Sequence, residues 1–112
     1  MAILIERTPA TPSELAEMSA EFGHVIKLAV DLERGILAGG GELHADCEGA
    51  LLQDGSRQQD VWGGDWLVDV QEVGFESLIN IRPRQDNRSL ELQSSELRQR
   101  FEAIVRRLLE VE

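Results

Sequence analysis

The chain has one cysteine, two histidines and little positive charge of the compact kind. Of its 11 basic residues only Lys27 is a lysine. A single cysteine, Cys47, excludes an intrachain disulfide. His24 and His44 are the only histidines, which excludes a histidine-rich metal site. No apolar run approaches the roughly 20 residues that span a bilayer. The opening Met1-Ala2-Ile3-Leu4-Ile5-Glu6-Arg7 is apolar for too few positions to resemble an export signal, so the expected location is the cytoplasm. Basic and aromatic residues do not interleave, which disfavours nucleic acid as a partner.

What is present suits one ordinary domain spanning residues 1–112. The apolar fraction is 42%, enough for a core. Acidic residues outnumber basic ones 21 to 11, for a formal charge of -10. Residues 1–81 carry 4 basic and 15 acidic side chains; residues 82–112 carry 7 and 6. An anion site is therefore to be sought in the last third.

Ala2–Glu6 reads as a first strand. Thr11-Pro12-Ser13-Glu14 is a capping box with proline at the first helical position, and Leu15, Met18 and Phe22 share a face before a stop at Gly23. Val25–Leu32 alternates as a strand with Ile26, Leu28, Val30 and Leu32 on the core side and Val25, Lys27, Ala29 and Asp31 on the other. Glu33-Arg34-Gly35 turns it into Ile36-Leu37-Ala38. Gly39–Gly41 marks a bulge or a place where another backbone or a ligand comes close. Glu42–Asp46 is expected to resume the strand. Ala50-Leu51-Leu52 ends at Asp54-Gly55, a short hairpin signal. Gly63-Gly64-Asp65 reads as a reversal between two strand pieces, and Phe75–Arg82 as a buried strand stopped by Pro83. Residues 83–95 are polar and loop-like. From Ser95 to Val111 an apolar stripe of Leu97, Phe101, Ile104, Val105, Leu108 and Leu109 predicts a docked terminal helix. Arg98–Glu102, Glu102–Arg106 and Arg106–Glu110 are the expected ion pairs on its exposed side. The fold class is α+β: a mainly antiparallel sheet of about five or six strands with an N-terminal and a C-terminal helix on one face.

Three blocks carry a family resemblance: Gly39-Gly40-Gly41-Glu42-Leu43-His44-Ala45-Asp46, the run from Leu52 to Gly63, and the run from Leu78 to Ser89. Together they resemble an uncharacterised prokaryotic family, common in cyanobacteria and known only as a domain of unknown function. The resemblance implies a free-standing small bacterial protein. It supplies no activity and no catalytic residues.

Two constellations could carry chemistry. If residues 42–46 form a strand, Glu42, His44 and Asp46 line one face as carboxylate, imidazole and carboxylate. That row suits acid–base work, with His44 as acid or base and Asp46 or Glu42 orienting it, as in a small hydrolase or nuclease-like enzyme. It could also bind a divalent metal, but a solvated strand face is the commoner origin of such a row, and no metal or cofactor is assigned. The second constellation is Asn80, Arg82, Arg84, Asn87, Arg88 and Ser89, where arginines, amides and a hydroxyl follow a buried strand into a loop. It suits a phosphate or carboxylate ligand and supports the leading reading, a small-anion binding protein. Trp62 and Trp66 serve as core cover or, in a third reading, as the surface of a homo-oligomer or protein-interaction module. Cys47 is expected to be buried and inert.

Overall fold

Val25–Asp31 is buried along both faces, and that places it at the centre of a sheet covered on two sides. In a computed structural model, which describes residues 2–111, the elements run β1 (Leu4–Glu6), α1 (Pro12–Ser19), β2 (Val25–Asp31), β3 (Ile36–Gly39), α2 (His44–Gln53), β4 (Val61–Leu67), β5 (Glu72–Gly74) and α3 (Ser95–Leu109). The five strands form one sheet in the order β1-β3-β2-β4-β5, with every neighbouring pair antiparallel. The protein is α+β, as its pattern predicts.

Topology explains the two-sided cover. The connection from β1 through α1 to β2 and that from β3 through α2 to β4 both step two places along the sheet in the same direction. Strands β1 and β3 run antiparallel. Crossovers of one hand, the nearly universal rule, must then put the two helices on opposite faces. On one face Ile26, Leu28, Val30, Trp62 and Trp66 meet Met18 of α1 and Phe101, Val105, Leu108 and Leu109 of α3. On the other, Ala29, Ala38, Ile36 and Val61 meet Cys47 and Leu51 of α2. The two terminal helices thus share a face, and a third helix, absent from the sequence reading, covers the opposite one.

Four local expectations are corrected. Residues 44–53 are helical, so the strand over Glu42–Asp46 does not form, and the apolar run Ala50–Leu52 belongs to the same helix. Between Glu42 and Gly55 there is no β-branched or aromatic residue, while Cys47 and Leu51 are buried four apart. Asp54-Gly55 is the stop of that helix rather than a hairpin: Gly55 takes φ +103°, and the Ser56 amide donates to the Leu51 carbonyl at 2.9 Å. Gly63-Gly64 lies inside one continuous strand. A Cβ on Gly63 would meet Ser77 at 2.7 Å on one face, and one on Gly64 would strike Phe101 at 2.6 Å on the other. The glycine pair marks close approach from both sides. Finally, Phe75–Arg82 is not a strand; after β5 it makes an isolated bridge, Glu76 to Glu91, and a 3-10 turn over Leu78–Asn80.

The other elements follow their local chemistry. Thr11 and Glu14 close the capping box reciprocally at 3.1 and 2.8 Å. Helix α1 ends at Ser19, so Phe22 lies beyond it, exposed, beneath the Lys27 ammonium. Gly40, at φ +100°, sits where a Cβ would collide with the Ala2 carbonyl, which is the backbone approach the glycine run suggested. In α3, Arg106 bridges Glu102 and Glu110 at 2.7 and 2.6 Å, whereas Arg98 turns to Glu91 at 3.0 Å and to the Phe75 ring. Among the described residues no helix is long and apolar enough to cross a membrane.

Two predictions follow from this packing. Gly49 is mid-helix in α2 with open space where its Cβ would be. Gly49→Ala should stabilise the protein by about 0.5–1 kcal/mol, whereas Gly64→Ala should cost about 1–3 kcal/mol by overpacking. Urea denaturation midpoints at constant slope measure both. The second concerns Glu6, buried with its Oε2 unpartnered. Burial, then the neighbouring Glu14, raises its pKa above the ordinary glutamate value. The folded state therefore holds this proton more firmly than the unfolded one. The resulting destabilisation is fully present above the raised pKa and disappears as pH falls below the unfolded value. Glu6→Gln should raise the melting midpoint at neutral pH, and the gain should vanish in acid.

Candidate functional site

Strand β5 covers only Asp65–Leu67 of its neighbour β4. Beyond it the edge of β4 is completed by side chains. The Asn80 amide accepts from the Gly63 N–H at 2.8 Å and donates to the Gly63 carbonyl at 2.9 Å, as a strand backbone would. Its Nδ2 also lies 3.2 Å from the carbonyls of Phe75 and Leu90. Arg82 continues the edge by donating to the Val61 carbonyl, and reaches those of Ile79 and Gln58 at 2.8 and 2.7 Å. Its guanidinium lies 4.5 Å from the Trp62 ring centroid and 3.2 Å from Glu48 of α2. Asn87 locks the loop behind: Nδ2 donates to Asn80, Ser89 and Glu91 carbonyls, and Oδ1 accepts from Gln93.

The Arg82–Glu48 pair is poorly solvated, with side chains 11% and 12% exposed. Burial raises the Glu48 pKa against the opposing pull of Arg82, and burial lowers that of Arg82 against Glu48. Desolvation outweighs attraction for both partners, so the pair contributes orientation more than stability.

Beside this pair lies a cleft of about 570 Å³, within the range of small-molecule sites. Leu78, Ile81 and Pro83 form its apolar wall; Glu48, Gln58, Arg82, Arg84 and Gln85 supply polar groups. Leu78 stands 77% exposed, and Arg84 makes no hydrogen bond or ion pair among the described residues. Leu78 and Ile79 also wall a second recess of about 190 Å³ that includes Lys27, His44 and Ser77.

The sequence-predicted residues separate accordingly. Of the proposed ligand set, Arg82 and Asn87 hold the loop and sheet edge together. Arg84 lines the cleft, and Arg88 is exposed outside it. The row Glu42, His44 and Asp46 dissolves, because residues two apart on a helix point roughly 200° apart. Glu42 precedes α2, and Asp46 borders an open groove with Ile3. His44 instead shares a face with Glu48, and its Nε2 meets Oδ1 of Asp65 at 2.9 Å. Asp65 comes from β4, 21 residues on, and no local spacing announces it. Lys27 was visible as a non-core position of β2; Asn80 carried no signal beyond its place in the arginine segment. Both tryptophans are buried, at 3% and 0% exposure, so they offer no partner surface. Burial pushes the Cys47 thiol up to about 11, which leaves it protonated and inert at neutral pH. Among the described residues no three His, Cys, Asp or Glu side chains could together hold a metal ion.

This α+β chain, a sheet with helices on both faces and a cleft beside a side-chain-completed edge, belongs to a family described as a protein of unknown function (DUF5674). The family model matches residues 3–108. No curated protein and no solved structure matches the chain.

The division between structural and free arginines is directly testable. Arg82→Ala should destabilise the protein by about 2–4 kcal/mol, because it strands buried carbonyls and Glu48. Arg82→Lys should recover little of this, since an ammonium cannot span the same fork of acceptors. Arg84→Ala should fall within about 0.5 kcal/mol of the parent. Denaturant titration distinguishes them; equal costs at 82 and 84 would refute the assignment.

Proposed function

We propose that the protein binds a small organic anion, a carboxylate or phosphate with an apolar portion, in the cleft between α2 and residues 78–85. The supporting observation is the state of Arg84. In a chain with 21 acidic residues, most arginines are held by a carboxylate. Among the described residues Lys27, Arg84, Arg88 and Arg107 make no ion pair, and Arg107 donates to the Gly35 carbonyl instead. Arg84 is the unpaired guanidinium that lines the 570 Å³ cleft. An unpaired guanidinium beside an apolar wall suits the anionic end of a ligand whose body rests on Leu78 and Ile81.

Binding ranks above catalysis on the same geometry. The acid–base reading of His44 stands on one contact, to Asp65, an arrangement that is also common as a purely structural pair. The binding reading stands on a cavity, an apolar wall and an unsatisfied cation together.

Calorimetric titration with short carboxylates and phosphate monoesters tests the reading. A member of this panel should bind wild-type protein, and Arg84→Ala should weaken it at least about tenfold, roughly 1.4 kcal/mol, without altering the melting midpoint. Unchanged affinity in Arg84→Ala would remove the cleft as the site.

A further inference from the structure

Of the cations without an ion pair, Lys27 and Arg84 line the two adjoining cavities, one in each. The cavities meet at Leu78 and Ile79, so a single apolar ridge separates them. We infer that they form one binding groove for a two-headed anion. One acidic group sits at Arg84, the apolar link crosses Leu78, and a second acidic or carbonyl group enters the recess at Lys27. This rests on the reading of the cleft as an anion site and extends it to the substrate class.

The recess has the donors such a head needs. The Lys27 ammonium lies 4.9 Å from the Phe22 ring centroid, and no carboxylate pairs with it among the described residues. Its cross-strand partner, Asp65, is taken by the His44 imidazole at 2.9 Å. Ser77 Oγ accepts from the Ile79 amide at 3.2 Å, which leaves its hydroxyl hydrogen to donate. Lys27 and Ser77 both line the 190 Å³ recess, and an ammonium with a hydroxyl matches a carboxylate or carbonyl oxygen pair. Leu78, 77% exposed between the two polar ends, holds an apolar side chain in water. A hydrocarbon or planar link lying across it would remove that surface from solvent.

Titration with α,ω-dicarboxylates from malonate to sebacate, beside monocarboxylates of matching length, tests the groove without any mutation. Affinity should peak at one diacid length, at least about tenfold above the matching monoacid, a difference of about 1.4 kcal/mol. Lys27→Met should reduce that diacid to the monoacid level and leave the monoacid unchanged; Lys27→Gln provides a second variant should the first fold poorly. Arg84→Ala should weaken both acids. If monoacids bind through Arg84 but no diacid exceeds them, or the diacid gain survives both Lys27 variants, the two-headed groove is overturned and the single anion site stands. If neither acid binds wild-type protein, both readings fall.

Discussion

The structure depends on how the edge of β4 is completed. A five-stranded sheet whose last strand is three residues long leaves the backbone groups of Val61 and Gly63 with no strand beside them. Buried and unpaired, each would cost about 1–3 kcal/mol. Asn80 and Arg82 supply the missing donors and acceptors from their side chains. That substitution has consequences throughout. Gly63 must lack a side chain so that Ser77 and Ile79 can come close, and the segment after β5 must curl into a turn rather than extend. The loop to Gln93 must then be pinned by Asn87 so that Asn80 is held in register.

The same constraint shapes the cleft. An arginine committed to backbone carbonyls and to Glu48 is unavailable to a ligand, yet it fixes the position of everything near it. It anchors α2 to the loop through Glu48 and covers Trp62. The 3-10 turn that delivers Asn80 to the sheet necessarily leaves Leu78 facing outward. The exposed apolar ridge and the unpaired Arg84 are therefore by-products of an edge repair, placed where they border two cavities. The three sequence blocks that carry the family resemblance, 39–46, 52–63 and 78–89, supply α2's start, the edge strand's entry and this loop.

Legibility in the sequence tracked the range of the interaction. The α1 capping box, the β2–β3 hairpin and the apolar stripe of α3 are local patterns, and each formed close to where it was read. Misreadings fell where a signal had two physical meanings. Asp-Gly serves a helix stop as well as a hairpin, and here it follows Leu51 and Leu52 at the end of α2. Gly-Gly-Asp serves a close-packed strand as well as a turn. Residues 42–46 show alternating charge that resembles a strand face, and only the absence of β-branched residues argues for a helix. At the site, the arginine segment was legible as a cluster, but which of its members were free was not.

By itself the sequence determined the class of fold, the helices at either end, the hairpin of β2 and β3, the single cysteine with no partner in the chain and the concentration of basic residues in the last third. These follow from periodicity, caps and composition, which act over a few residues. Only the tertiary structure decided that α2 covers the second face, that Asp65 rather than Asp46 meets His44, and that Arg82 and Asn87 are structural while Arg84 is free. The reason is that a buried backbone group takes whichever polar side chain the chain topology delivers to it, and that delivery is set by contacts between residues far apart in sequence.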